Sequence, residues 1–185
     1  MARRARSSAK DSASRRRHTV LVETPWMRVV RRRVRLRPGA APEDYDVVES
    51  VDWAMICARA PDGRFVMVVQ NRPAIRRRQP EFPAGRIDPG ETPSASIRRE
   101  LVEETGHAVK RLVRLGPFFA DTGRLSNSAH LFFGEVVPVA RWTPEPGVTV
   151  RRFTARQIDR MIADGRMRAL HHVGLWLLVK ARGLV

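Results

Sequence analysis

One segment near the middle of the chain has the clearest signals for the start and the end of a helix. Thr92 is a favourable N-cap, Pro93 suits the first helical position, where its missing N–H costs nothing, and Gly106 suits the left-handed residue that ends a helix. The sequence therefore predicts a helix over residues 93–105. Because the flanking segments have the apolar patterns of strands, this helix requires a fold that packs helices on a sheet, an α/β or α+β domain.

Three glutamates share one face of this predicted helix. Glu100, Glu103 and Glu104 have i, i+3 and i+4 spacing, and like charges at that spacing oppose helix formation by roughly 0.2–0.5 kcal/mol per pair. Arg99 is placed to neutralise Glu103, which leaves Glu100 and Glu104 facing the same space. Clustered carboxylates on a rigid helix are the oxygen ligands that Mg²⁺ or Mn²⁺ prefers. The alternative interpretation is a solvated acidic helix face.

The wider segment favours the metal interpretation. Gly85, five further residues, Glu91, seven further residues and then RELVEETG from Arg99 to Gly106 reproduce the Nudix box. The chain therefore resembles the Nudix hydrolase family. A chance match of the seven fixed positions, each at about 7% usage, has a probability on the order of 10⁻⁸. The departure from the family pattern is His107, which stands where an aliphatic residue is usual and is expected to affect packing behind the helix.

The resemblance implies both a fold and a chemistry. The fold would be α/β, a Nudix-type α/β/α sandwich with a mixed β-sheet, preceded by a short N-terminal antiparallel β segment. The chemistry would be Mg²⁺-dependent hydrolysis, with Mn²⁺ as an alternative metal, of a nucleoside diphosphate linked to a group X. Glu100, Glu103, Glu104 and the carbonyl of Ala84 would bind the metal, and Arg99 would hold the glutamates in place. Glu103, Glu104 and Arg99 are thus the expected catalytic group.

Two further stretches narrow the resemblance. QNRP from Gln70 to Pro73 and EFPAGRIDPGE from Glu81 to Glu91 are similar to the ADP-ribose and ADP-sugar pyrophosphatase branch. In that branch the products are a nucleoside monophosphate and phosphorylated X, and the N-terminal strands build a homodimer. The sequence departs from the branch at Thr122-Gly123, where a Pro-Gly pair is common in enzymes that favour ADP-ribose.

The same branch implies residues that contact the substrate. Arg72 would bind a substrate phosphate, Arg86 would add a second substrate contact, and Trp26 together with Tyr45 would stack on the base. The alternatives are an ordinary surface arginine for Arg72 and a core or dimer-interface residue without a ligand for Trp26. A catalytic carboxylate usually lies in the loop before the last strand, and Glu145 is the nearest candidate. The polar residues 124–127 offer contacts to X, with simple solvation as the alternative.

The charge of the chain leaves other functions open. The formal net charge is +16 and the sequence pI is about 11.7, which invites a nucleic-acid-binding function because arginines neutralise phosphates. A basic nucleic-acid-binding protein is therefore the non-enzyme alternative, although a binder has no need for the three glutamates. Within the family, the alternatives are a hydrolase of GDP-mannose, NADH, dinucleoside polyphosphates, oxidised dNTPs or RNA 5′ ends.

The domain organisation is expected to be simple. Residues 1–18 are a basic tail without large aliphatic side chains after Met1, so we expect disorder and weak non-specific nucleic-acid binding there. Residues 19–185 form one Nudix hydrolase domain, with residues 19–45 as the N-terminal β segment. The single cysteine, Cys57, excludes an internal disulfide and fits a reducing compartment, so the cytoplasm is the expected location. The longest apolar run is too short to span a membrane.

The remaining elements follow from periodicity and caps. Residues 45–59 and 64–70 are predicted as a long strand and its hairpin partner, and residues 71–80 as an exposed basic loop. Thr154 and Gln157 predict a capping box for a second helix, and a last helix is predicted over residues 169–182. His171 and His172 are expected to pack or be exposed, not to bind metal. Cys57, Trp176 and Leu177 are expected in the core.

Overall fold

A computed structural model describes residues 18–144 and 146–185 of the chain. The described residues separate into two compact units. The first comprises residues up to Val51 together with Asp121–Asn127, and the second comprises Asp52–Ala120 together with Ser128–Val185. The expected disordered tail lies outside the described residues except for His18, which begins the first strand one residue earlier than expected.

The first unit contains a three-stranded antiparallel sheet in the order β1-β2-β3. Its strands are β1 (His18–Glu23), β2 (Arg28–Val34) and β3 (Glu43–Glu49). Cross-strand ion pairs join β2 to β3, for example Arg31 with Asp46 at 2.8 Å and Arg33 with Asp44 at 2.9 Å. Opposite charges on facing strands stabilise this register. The expected N-terminal antiparallel segment is confirmed, and it extends beyond residue 45 to the end of β3.

The second unit is built on a seven-stranded mixed sheet. The strands are β4 (Trp53–Arg59), β5 (Phe65–Arg72), β6 (Arg77–Glu81), β7 (Ala84–Arg86), β8 (His107–Phe118), β9 (Ala129–Pro138) and β10 (Thr149–Phe153). The order along the sheet is β10-β5-β4-β9-β8, with β6 paired to β5 and β7 paired to β4. The β4–β9 pair is parallel and the other pairs are antiparallel.

Three helices cover the two faces of this sheet. They are α1 (Pro93–Thr105), α2 (Ala155–Ala163) and α3 (Leu170–Ala181). Successive side chains of a strand point to opposite faces. Accordingly, Ala54 and Ile56 of β4 pack in one core with α1, whereas Met55 and Cys57 pack in another core with α2 and α3. The predicted α/β/α sandwich with a mixed sheet is confirmed.

The helix caps expected from the sequence are present. The Thr92 hydroxyl accepts a hydrogen bond from the backbone N–H of Ala95, and Gly106 ends α1 with φ +66°. Thr154 and Gln157 form the predicted capping box at the start of α2. Caps are local features, so the sequence alone can specify them.

The predicted long strand over residues 45–59 is wrong, because the chain forms β3 and β4 in two different sheets. Residues 50–52 interrupt it. The Asp52 carboxylate accepts the backbone N–H of Ser128 at 2.7 Å, and the Asp52 carbonyl accepts the backbone N–H of Ile87 at 3.0 Å. The alternation of apolar residues continues in phase across this break, so the sequence pattern could not reveal it.

The predicted exposure of residues 71–80 is confirmed for residues 71–78, but their assignment to a loop is wrong. β5 continues to Arg72, a short 3₁₀ turn covers Pro73–Ile75, and β6 returns antiparallel to β5. Arg76 has φ +51°, which lets the chain reverse tightly. Pro80 is tolerated because β6 pairs on one side only, as an edge strand can.

The last helix is largely as predicted. Trp176 of α3 is fully buried, but Leu177 is 56% exposed, so its predicted core position is wrong. Residues 176 and 177 are about 100° apart around a helix, and only one of them can face the sheet. Cys57 is buried in β4, as predicted. Among the described residues, no helix has the length and apolar character needed to cross a membrane.

Candidate active site

Glu104 occupies a core-facing position of α1. It follows Ile97 and Leu101 at helical spacing, and like them it is buried, with 8% exposure. Its carboxylate oxygen Oε2 accepts a hydrogen bond from the backbone N–H of Ala84 at 3.1 Å. The helix therefore brings a carboxylate directly to the start of β7, where a metal-binding group was expected.

Glu100 lies against the next residue of β7. A Cβ atom added to Gly85 would stand 1.9 Å from the Glu100 carboxyl carbon, so only glycine allows this approach. Burial raises the pKa of Glu100 above its ordinary value, although the hydrogen bond from Arg99 acts in the opposite direction. The carboxylate is thus incompletely neutralised by its neighbours.

Arg99 bridges three carboxylates. Its Nε and Nη2 donate to Glu91 at 3.1 and 3.0 Å, and its Nη1 donates to Glu100 at 2.8 Å and to Glu103 at 3.0 Å. The bond to Glu91 is the main reason that the pKa of Arg99 is raised and that of Glu91 is lowered. The predicted pairing of Arg99 with Glu103 is confirmed, and the planar guanidinium reaches Glu100 as well, which the prediction did not include.

The donor set fits a divalent cation. The carboxylates of Glu91, Glu100 and Glu103 share one guanidinium, and carboxylate oxygens are the preferred ligands of Mg²⁺ and Mn²⁺. The raised pKa of Glu100 indicates that further positive charge would stabilise this group. In the described part of the chain, however, no three His, Cys, Asp or Glu side chains already form a metal-binding group. The ligand roles of these glutamates and of the Ala84 carbonyl remain predictions.

A second polar group surrounds Glu81, which is 2% exposed. Arg72 donates from Nε to both carboxylate oxygens, at 3.0 and 2.9 Å. The side-chain amides of Gln70 and Gln79 donate at 3.2 and 3.0 Å. Burial is the largest single influence and raises the pKa of Glu81, but the surrounding hydrogen bonds and positive charge, those of Arg72 foremost, together outweigh it, and the net pKa is lowered. Arg72 is thus held firmly by a buried carboxylate and is not a freely solvated surface arginine.

A pocket of about 580 Å³ opens beside this group. Arg72, Ile75, Arg77, Glu81, Arg168 and His171 are among its lining residues. The bond to Glu81 is the main cause that raises the pKa of Arg72, and the charge of Glu104 adds to it. The predicted phosphate contact is therefore an electrostatic neighbour of Glu104 on α1.

Trp142 is a residue that the sequence interpretation missed. Its Nε1–H donates to the backbone carbonyl of Glu103 at 2.9 Å. Its ring also covers Gly106, where an added Cβ would stand 2.6 Å away. Trp142 therefore satisfies a carbonyl near the end of α1 and fixes the loop after β9 to the box helix. Glu145, the predicted catalytic carboxylate of that loop, lies outside the described residues.

The predicted substrate contact Arg86 contributes its backbone to the site. Its carbonyl accepts the Ser96 hydroxyl at 3.0 Å and Arg99 Nη2 at 3.2 Å. These bonds fasten the end of β7 to α1. The Arg86 side chain is exposed, and its contact with substrate remains a prediction.

The predicted base-stacking residues belong to the first unit. Trp26 lies between β1 and β2 and is 69% exposed. The Tyr45 hydroxyl donates to the carbonyl of Gly123, and the Arg124 guanidinium lies 4.6 Å from the centre of the Tyr45 ring. One face of Tyr45 is thus already covered, whereas Trp26 exposes most of its surface. Stacking on a base remains a prediction for both.

Residues 124–127, which offer contacts to X in the sequence, are hydrogen-bonded to β3 and to the residue Val51 after it. The Val48 N–H donates to the carbonyl of Arg124 at 2.8 Å, and the Ser126 N–H donates to the carbonyl of Val48 at 3.1 Å. The Asn127 side-chain amide donates to the carbonyl of Val51 at 3.0 Å. These residues are accordingly engaged within the first unit.

An α/β/α sandwich with a carboxylate-rich helix packed on β7 defines the class, that of Nudix proteins. The NUDIX domain model matches residues 50–171, and the chain therefore belongs to the Nudix family.

Curated relatives give the similarity more detail. The chain is 30% identical over 102 residues to an ADP-ribose pyrophosphatase of Bacillus subtilis (strain 168), covering 55% of each chain. It is 34% identical over 107 residues to a GDP-mannose pyrophosphatase of Klebsiella pneumoniae subsp. pneumoniae, covering 55% of this chain and 54% of that protein. The chain thus aligns with about half the length of these relatives.

The fold also matches a crystal structure of an ADP compounds hydrolase. The TM-score is 0.74 at 19% identity, and the match covers 92% of this chain and 98% of that chain. This likeness confirms the fold expected from the sequence.

Proposed function

We propose that the chain is a Mg²⁺-dependent hydrolase that cleaves the pyrophosphate of a nucleoside diphosphate linked to a sugar or another group X. ADP-ribose and related nucleotide sugars are the first candidates, with a nucleoside monophosphate and phosphorylated X as products. The observation that carries this proposal is the carboxylate group of α1, bridged by Arg99 and seated on Ala84 and Gly85 within the Nudix match.

The proposed substrate class rests on what the relatives share. An ADP-ribose pyrophosphatase and a GDP-mannose pyrophosphatase differ in base and sugar, yet both names describe a nucleotide sugar cleaved at its pyrophosphate. The pocket beside Arg72 supports the same class, because it combines arginines with apolar surface at Ile75. Arginine pairs with phosphate oxygens through two parallel hydrogen bonds.

The residues divide the chemistry between them. Glu100, Glu103, Glu104 and the Ala84 carbonyl would bind Mg²⁺ or Mn²⁺, which supplies charge screening of the pyrophosphate and a lower pKa for a bound water. Arg99 keeps the glutamates oriented. Arg72, held by Glu81, orients a substrate phosphate. Trp26 and Tyr45 remain the proposed base contacts, Arg86 a proposed substrate contact and Glu145 the proposed loop carboxylate.

A hydrolysis panel tests the proposal. The panel contains ADP-ribose, ADP-glucose, GDP-mannose, NADH, a dinucleoside polyphosphate, 8-oxo-dGTP and triphosphorylated RNA, each with Mg²⁺, with Mn²⁺ and with EDTA. We expect kcat/KM for the best nucleotide sugar to exceed that for 8-oxo-dGTP and for RNA at least about tenfold, a difference of about 1.4 kcal/mol in transition-state stabilisation. EDTA should abolish turnover.

Product analysis completes this test. Release of a nucleoside monophosphate and phosphorylated X locates the cleavage at the pyrophosphate. A faster reaction with 8-oxo-dGTP or RNA would reject the substrate class, and turnover that survives EDTA would reject the metal. A chain that binds nucleic acid and hydrolyses none of the panel would favour the non-enzyme alternative.

We also propose a homodimer formed through the first unit. Its apolar side chains are unusually exposed: Val20 by 40%, Leu21 by 42%, Val22 by 49%, Trp26 by 69% and Met27 by 44%. Exposed apolar side chains clustered along a short segment mark interaction surfaces. Light scattering of the intact chain measures the oligomeric state directly.

Two further proposals concern the basic tail and the location of the protein. Residues 1–18 are proposed to bind nucleic acid weakly. A cytoplasmic location is proposed because the chain has a single cysteine, which is buried.

A further inference from the structure

His172 of α3 lies against the end of β6 and the short connection from β6 to β7. The residue is 1% exposed, and its ring Nδ1 accepts the backbone N–H of Phe82 at 3.2 Å. Because Nδ1 accepts, the proton of the neutral ring is on Nε2. Burial, together with the neighbouring His171, lowers the pKa of His172 to about 3, so the ring is neutral near pH 7.

The other ring nitrogen faces a different partner. His172 Nε2 lies 3.7 Å from the Glu81 carboxylate oxygen Oε2. Within the described residues it has no hydrogen-bond partner although it is buried. The separation is too long for a hydrogen bond, but an N–H dipole at this distance from a carboxylate is still attracted to it.

Both contacts of His172 lead to residues of the site. Glu81 holds Arg72, the proposed phosphate contact. Phe82 stands two residues before Ala84, whose N–H donates to Glu104. The imidazole of His172 therefore lies against Glu81, which holds the proposed phosphate contact Arg72, and against the segment that meets α1.

Simple packing does not account for a histidine at this place. The ring lies beside Phe82, with ring centroids 6.3 Å apart, and beside His171, with ring centroids 4.3 Å apart. Burying an N–H without a hydrogen bond is unfavourable. An aliphatic side chain of similar size would pack there without that cost, so the polar edges of the ring are what distinguish His172.

We propose that His172 is a positioning residue for the hydrolysis. It fixes the Phe82–Ala84 segment through Nδ1 and restrains the Glu81–Arg72 pair through Nε2. This assignment rests on the proposed function for its effect on turnover, but its effect on metal binding can be measured without any substrate.

Two variants separate the two contacts. In His172→Leu both polar edges are lost and the volume is nearly kept. In His172→Asn the side-chain oxygen can still accept the Phe82 N–H, whereas the group facing Glu81 is lost. Leu177→Gln is the matched control, because residue 177 lies on the same helix and is 56% exposed.

Three measurements are made on each full-length variant. Thermal unfolding establishes that the variant folds cooperatively. Mn²⁺ titration followed by electron paramagnetic resonance, without substrate, gives the metal affinity. Steady-state kinetics with the best nucleotide sugar separates KM from kcat.

We expect His172→Leu to weaken Mn²⁺ binding about tenfold and to raise KM about tenfold, the size seen when supporting residues of metal sites are changed. His172→Asn should restore Mn²⁺ affinity to within about threefold of the parent while KM stays raised. Leu177→Gln should match the parent in all three measurements.

The result that overturns the proposal is parent-like Mn²⁺ affinity and KM in a folded His172→Leu chain. Equal Mn²⁺ affinities in folded His172→Leu and His172→Asn would also overturn it. If His172→Leu does not fold, a His172→Asn chain with parent-like KM has the same consequence. A parent that binds Mn²⁺ but hydrolyses no nucleotide sugar rejects the proposed function instead, and the Mn²⁺ comparison still decides the role of His172.

Discussion

The second unit contains two charged groups with opposite organisation. In one, a single cation, Arg99, serves the carboxylates of Glu91, Glu100 and Glu103. In the other, a single carboxylate, Glu81, receives hydrogen bonds from Arg72 and two glutamine amides. Negative charges outnumber positive charges around Arg99, whereas the single negative charge of Glu81 is compensated by one cation and two amide donors.

The difference indicates that the two groups have different roles. Glu100 has a raised pKa, caused first by burial, so the Arg99 group gains from an added cation. Glu81 has a lowered pKa in spite of its burial, because the hydrogen bonds and positive charge around it, those of Arg72 foremost, together outweigh the loss of water. The Arg99 group is therefore suited to bind a metal, and the Glu81 group is suited to hold an arginine still. Three changes test this contrast.

Glu104→Gln should have the largest effect. The amide keeps the shape and can still accept the Ala84 N–H, but it removes a negatively charged oxygen from the proposed metal-binding group. We expect kcat at saturating Mg²⁺ to fall roughly 100-fold or more, with the fold retained. Glu135→Gln is the control, because Glu135 lies on β9 and forms its ion pair with Arg59 at the end of β4, at 3.0 Å. Unchanged turnover in Glu104→Gln would refute a catalytic role for the α1 carboxylates.

Arg99→Lys should have the next largest effect. Lysine keeps the charge but lacks the planar fork that reaches Glu91, Glu100 and Glu103 together. We expect kcat/KM to fall about 10- to 100-fold. Arg98→Lys is the matched control, since Arg98 is adjacent on α1 and donates to the carbonyl of Val109. Equal losses in the two variants would mean that helix stability, and not carboxylate geometry, explains the effect.

The third test leaves activity aside and concerns how the stability of the Glu81 group depends on pH. The pKa of His172 is about 3 in the folded chain, against about 6.5 when unfolded. As the pH falls below about 6.5, the unfolded chain takes up a proton that the folded chain does not, so the free energy of unfolding decreases until about pH 3. Between pH 7 and pH 5 this residue alone should account for a decrease of about 2 kcal/mol.

Comparison with His172→Asn isolates that contribution, because other groups also titrate between pH 7 and pH 5. Chemical denaturation at both pH values gives the free energies. The parent should lose about 2 kcal/mol more than His172→Asn. The same pH dependence in both proteins would show that His172 is not held neutral by its burial.

Local signals explain what the sequence could predict. Thr92, Pro93 and Gly106 define α1 without reference to the rest of the chain, and the spacing of Glu100, Glu103 and Glu104 marks its charged face. Periodicity was less informative where strands end. The apolar pattern runs through Ser50–Asp52 in phase, although the chain changes sheets there.

Long-range pairing explains what the sequence could not predict. The environment of Glu81 depends on β5, β6 and α3 meeting, and His172 stands ninety positions beyond Phe82. An arginine-rich run with two prolines gives no sign that residues 77–81 form a strand. Trp142 likewise contacts Glu103 and Gly106 only after β8 and β9 have paired.

Gly85 has a consequence for how this chain tolerates mutation. Its space is filled by the Glu100 carboxylate, at 1.9 Å from an added Cβ, and its backbone does not need a left-handed conformation. Any larger residue can therefore keep the sheet register while displacing a site carboxylate. Selection for a stable fold would accept alanine at this position, whereas selection for turnover would not. Glycine is therefore required at this position by the place of the Glu100 carboxylate and not by the backbone conformation.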